Sequence, residues 1–189
     1  DWNAFRANPA RYRIGAFRAD DGAQVFFTEQ EIREMRDLMV RVRASSTMPV
    51  LMPPVVVDGH TYVDGALGDT GGIPIDAARA EGFEKYLVVL SKERGYLRRP
   101  VGHGRFYRRH FRAFPAVADA IATRHVRYNA TREEIFDLER EGRAMVFVPD
   151  RMPVTNGERD VARLRAAHEL GLAQARREIP AWKEFCGLA

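Results

Sequence analysis

Asp64 is the residue with the clearest chemical potential in this chain. It sits in the run Val57-Asp58-Gly59-His60-Thr61-Tyr62-Val63-Asp64-Gly65-Ala66. Asp58-Gly59 separates two strand-like stretches, Val55-Val56-Val57 and Tyr62-Val63. That order predicts a tight hairpin, because Gly takes positive φ without steric cost. The second arm then ends on Asp64, leaving a carboxylate at a strand end. The same Asp-Gly pair can also be plain turn chemistry. Asp69 reads as a loop residue stabilising its own turn. Ser45, Ser46 and Ser91 are the only serines. His60, His103, His110, His125 and His168 form no spaced pair on one face. Cys186 is the single cysteine, so it has no intrachain disulfide partner and reads as a buried apolar residue. We expect no metal site and no cofactor.

These residues need a scaffold of strands and helices. Residues 11–18 read as a strand, Asp20-Asp21-Gly22 as a turn, and Gln24-Val25-Phe26-Phe27 as the returning strand. Thr28-Glu29-Gln30-Glu31 has capping-box spacing and opens a helix expected over 29–43. Ile32, Met35, Leu38, Met39 and Val42 form its apolar stripe. Gly65, Gly68, Gly71 and Gly72 make the loop 65–73 either a close backbone approach to a ligand or neighbouring segment, or a flexible solvated loop. Pro74 suits the start of a short helix, residues 75–81, closed by Gly82. Two apolar runs, 86–90 and 144–149, have the look of buried strands, the first of them parallel. From Pro115 the pattern is helical, with Val117, Ile121, Val126, Ile135 and Leu138 inward. We expect a break at 129–131, with Thr131 capping a second helix. Residues 159–178 read as helix, and Pro180 as a break before a short terminal helix. Mixed strands and helices make the class α/β.

The chain has 189 residues, 46% of them apolar and 30% charged, as in an ordinary globular protein. No stretch approaches the ~20 apolar residues of a membrane span. Of 30 basic residues only Lys85, Lys92 and Lys183 are lysines; the other 27 are arginines. Genomic base composition explains this as readily as selection for phosphate binding does. Residues 92–112 concentrate eight basic side chains against one acid, Glu93, with Phe106, Tyr107 and Phe111 interleaved. This stretch is open to three readings: a solvated connection, recognition of anionic lipid head groups, or nucleic-acid binding. No nucleic-acid motif supports the third, and we expect no nucleic acid as partner.

Several segments together resemble the catalytic-aspartate region of patatin-like phospholipases. They are Arg43-Ala44-Ser45-Ser46-Thr47-Met48-Pro49, the hairpin ending in Asp64-Gly65-Ala66, and Asp69-Thr70-Gly71-Gly72-Ile73-Pro74-Ile75. The similarity extends upstream through residues 14–22 and downstream through residues 87–96, as in a bacterial branch of the family. The resemblance implies a three-layer α/β/α sandwich with a mainly helical C-terminal region. Its division is residues 1–95 as the C-terminal half of the hydrolase domain, and 96–189 as a mainly helical region with one further strand.

It implies a serine acyl hydrolase of esterase or phospholipase A type, with Asp64 as direct general base and Gly65 and Ala66 completing its motif. The family's Gly-x-Ser-x-Gly nucleophile is absent from this sequence. It is expected N-terminal to residue 1, so that residues 1–189 alone would be inactive. Ser45 and Ser46 are read as structure near the site. The alternative reading is a non-catalytic remnant that binds acyl lipid or an anionic membrane surface. The partners implied are a lipid or acyl-ester substrate and a peripheral anionic membrane contact through 92–112. The implied location is cytoplasmic. A missing half would leave exposed apolar faces near strands 11–18 and 86–90.

Overall fold

The computed structural model describes residues 1–155 and 157–188. They fall into two compact units, one of residues 1–82 with 98–131 and one of residues 83–97 with 132–189.

The first unit is built on a four-stranded antiparallel sheet. Its strands are β1 (Ile14–Arg18), β2 (Gln24–Phe27), β3 (Val55–Val57) and β4 (His60–Asp64), in the spatial order β2-β1-β4-β3. The β3–β4 hairpin forms as expected, with Val57 opposite His60 and both turn residues at positive φ (Asp58 49°, Gly59 83°). In β1 the register pairs Ala16 with Asp64 and Phe17 with Val63, so β4 is held on both sides. Residues 11–13 stay outside the sheet.

Strand alternation sends successive side chains to opposite faces. Ala16, Phe27, Val55, Val57 and Tyr62 pack on one face with Ala44 of helix α2 (Met35–Ser45). Phe17, Val63 and Leu67 pack with Phe111, Val117, Ala118 and Ala120 on the other. Phe111 directly follows α4 (Gly104–His110), and the other three belong to the start of α5 (Pro115–Arg140). Burying a side chain such as Phe17 or Val63 contributes roughly 1.5–3 kcal/mol. Helix, sheet and helix thus form three layers, and the fold is α/β. Helices α1 (Trp2–Ala7) and α3 (Ile75–Ala80) complete the unit.

Four expectations need correction here. The helix expected at 29–43 is split in two. The Thr28–Glu31 capping box closes only a 3₁₀ turn at Glu29–Glu31. Helix α2 starts afresh at Met35, after the Asp37 carboxylate accepts from the Arg33 and Glu34 amides. Of the expected stripe Ile32 is buried and Leu38 partly so, but Met35, Met39 and Val42 are exposed, while Arg41 and Ala44 are buried in their place. Exposed apolar side chains are found on α2 and, within 86–90, at Leu87 and Val89, but not in β1, whose Ala16 and Phe17 are buried. Finally, α5 runs unbroken through 129–131, because Asn129 turns its amide to the backbone of Arg98 rather than to its own. Val126 is exposed on it; Val117, Ile135 and Leu138 are buried and Ile121 is partly so.

The second unit pairs β5 (Tyr86–Val89) in parallel with β6 (Ala144–Phe147). Tyr86, Ala144 and Val146 are buried, but Leu87 and Val89 are exposed, so β5 is parallel without being covered on both faces. Helix α6 (Val161–Phe185) carries Pro180 inside it rather than ending there. Cys186 is exposed, contrary to expectation, because the chain has left the helix by that point.

Candidate active site

Asp64 ends β4 and caps the 3₁₀ turn Gly65–Leu67 that follows. Its Oδ1 accepts a hydrogen bond from the Ala66 amide at 2.8 Å. The other carboxylate oxygen, Oδ2, has no hydrogen-bond partner among the described residues. Its own amide donates to the Thr47 carbonyl at 2.9 Å, which ties the strand end to the segment after α2. The side chain is half-buried. The one bond from Ala66 fixes the orientation of the group.

Gly65 is required by its neighbour. A Cβ there would stand 2.2 Å from the Gly15 carbonyl oxygen, so any side chain would push Asp64 away from β1. The other loop glycines are close approaches too. A Cβ on Gly68 would meet Gln24 Oε1 at 1.1 Å, and one on Gly71 would meet the Tyr128 backbone at 2.6 Å. Arg124 Nε donates to the Gly71 carbonyl, and an Arg127 Nη to that of Leu67. The loop 65–73 is packed against its neighbours, which decides between the two readings the glycines allowed.

The hydroxyls beside Asp64 are occupied by helix carbonyls. Ser46 Oγ donates to Val42 O at 2.8 Å, and buried Thr47 Oγ1 to Arg43 O at 2.6 Å. Asp69 is exposed in its turn.

Asp58, which the hairpin motif makes look like a twin of Asp64, has a different partner. Its carboxylate accepts from Arg41 at 2.8 Å. The Arg41 guanidinium is buried, lies over the Phe27 ring, and also donates to the Asp37 carbonyl. Sequence periodicity hid this, since Arg41 interrupts an apolar stripe that faces outward. In the β1–β2 turn, the Arg18 guanidinium hydrogen-bonds to Asp21 and holds that carboxyl down at about 2. Burial raises the Tyr62 phenol above its ordinary value.

Among the described residues no group of three or more His, Cys, Asp or Glu side chains is placed to hold a metal ion. Likewise, no described helix is long and apolar enough to cross a membrane.

Residues 4–79 match the model of the patatin-like phospholipase family. Residues 114–187 match that of a domain of unknown function, DUF6363. Asp64, Gly65 and the packed loop after them fall numerically inside the first match. Over residues 4–79 the chain is therefore similar to the patatin-like phospholipases.

Proposed function

We propose that the chain is the C-terminal part of a serine acyl hydrolase of esterase or phospholipase A type, with Asp64 as general base and the nucleophilic serine on a segment preceding residue 1. Residues 1–95 are then the C-terminal half of the hydrolase domain. The observation that supports this best is the Asp64 carboxylate, anchored through Oδ1 to Ala66 N with Oδ2 unpartnered. A serine needs a base within hydrogen-bond reach to be nucleophilic.

In the proposed reaction the serine oxygen attacks the ester carbonyl while its proton passes to Asp64 Oδ2. The tetrahedral intermediate collapses, the C–O bond to the alcohol breaks, and the proton goes from Asp64 to that alkoxide. Water then attacks the acyl-serine, giving its proton to Asp64, and the serine leaves with that proton as the fatty acid is released. Asp64 ends each cycle as it began.

The test uses a protein in which the serine-bearing segment precedes residue 1. Asp64→Asn keeps the acceptor for Ala66 N but cannot take the proton, so kcat on an acyl ester should fall at least ~10²-fold with little change in stability. Wild-type turnover by that variant would remove Asp64 from the chemistry. Residues 1–189 alone should not hydrolyse p-nitrophenyl esters above background. Turnover abolished by Ser45→Ala or Ser46→Ala would move the nucleophile into this chain.

A further inference from the structure

We propose that the surface formed by residues 98–112 docks this protein onto an anionic lipid bilayer. The segment from Arg98 to Ala118 contains six arginines and neither Asp nor Glu. Tyr107 of helix α4 and Phe111, the residue that ends it, face the core with Phe17 and Val63. The outer face of α4 carries Arg105, Phe106, Arg109 and His110, all exposed. Arg99 and Arg112 flank it, exposed as well. Arg99, Arg105, Arg108, Arg109 and Arg112 form no ion pair among the described residues. Their charge is therefore not cancelled locally, and it stands over a fixed support: Arg98 N and O both bond to the Asn129 side chain of α5.

Charge alone would suit any polyanion. The apolar side chains on the same surface narrow the choice. Val101 is 47% and Phe106 50% exposed. An aliphatic side chain such as Val101 offers no platform for a nucleobase. Phe106 is stacked on His110 (5.6 Å, 23°) and meets Tyr107 at its edge, so one ring face is already covered. Stacking on bases, which sequence-tolerant nucleic-acid binding uses, is thus poorly served. Basic side chains interleaved with a few apolar ones match an interfacial surface, where arginines meet head-group phosphates and apolar groups enter the acyl boundary.

The experiment is flotation of residues 1–189 with vesicles of phosphatidylcholine alone and of an equimolar phosphatidylcholine–phosphatidylglycerol mixture. Partitioning onto the mixture and not onto phosphatidylcholine is expected, weakening as salt shortens the Debye length. The double variant Arg105→Gln/Arg109→Gln should lower the partition coefficient by about 25-fold, fivefold per arginine. Phe106→Ala should lower it about fivefold, and that loss should persist at high salt. All three side chains are exposed, and circular dichroism would verify that the variants stay folded. Asp64→Asn should bind as wild type, so failure of the hydrolase reading leaves this result standing. Equal binding to both vesicle types, no binding to either, or variants indistinguishable from wild type would overturn the proposal. So would tighter binding of a single-stranded RNA oligonucleotide that displaces the vesicles and is unaffected by Phe106→Ala; this last result would make the patch a nucleic-acid surface.

Discussion

Asp58 and Asp64 are both followed by glycine, both flank the same strand, and yet have different neighbours. Asp58 holds a buried guanidinium, whereas Asp64 holds a backbone amide. Asp58→Asn suits the hairpin turn, since Asn tolerates the left-handed region before Gly. It nevertheless removes the charge opposite Arg41. Because the Asp58 side chain is 76% exposed, solvent screens much of the pair, and we expect a loss of about 1 kcal/mol in urea unfolding. Asp64→Asn should lose less stability than that. An equal loss in both variants would mean that Asp64 is as structural as Asp58. The hairpin, the strand-end carboxylate and the Gly-Ala that follows were legible in the sequence because turn chemistry is local. The Arg41 contact was not, because the helical stripe of Met35, Met39 and Val42 implied an inward face that turned out to point to solvent.

At the scale of elements, the glycine loop and the β1–β2 turn make separable claims. Gly71 is at φ +66° and a Cβ there would meet the Tyr128 backbone, whereas Gly59 at φ +83° has open space around it. Gly59→Ala should cost about 1–2 kcal/mol for the left-handed backbone alone. Gly71→Ala should cost that and about 1–3 kcal/mol more, because α5 must shift. Comparable denaturation midpoints for the two variants would show that the loop is not clamped. In the turn, the folded-state carboxyl of Asp21 lies below its ordinary value of 3.8, at about 2. Its contribution to stability is therefore fully present above about 4 and is lost as pH falls through about 2. A carboxyl NMR titration should place the Asp21 midpoint near 2, and Asp21→Asn should flatten the acid limb of the stability curve; an ordinary midpoint would discount the Arg18 pairing. The Thr28 capping box forms but closes a single turn rather than a long helix, and the cap expected at Thr131 is overridden by the continuous α5. Only tertiary contact decides how far a capped turn propagates.

For the whole molecule, the two hairpins and the α/β class followed from pattern, while the strand order of the sheet and the continuity of α5 and α6 did not. Local breakers at 129–131 and at Pro180 argued for interruptions that the packed chain carries through. Arg132 offers a further consequence. Buried in α5, it donates to the carbonyls of Lys92, Glu93 and Arg94 at 3.5, 2.8 and 3.1 Å. A serine protease must draw its substrate out into an extended strand, and those three carbonyls are already held in a different shape. The bonds after Lys92 and Arg94 should therefore resist limited trypsin digestion, even though Arg94 itself is exposed. Cleavage should come first after Arg11 or Arg151, which are exposed and outside any helix or strand, as read by mass spectrometry of the earliest fragments. Arg132→Ala should reverse that order and make the 92–94 stretch the first point of attack. If Lys92 and Arg94 are cut first in the unaltered protein, the grip of Arg132 is too weak to shield them. Its hold on three consecutive peptides makes one side chain a built-in guard against proteolysis.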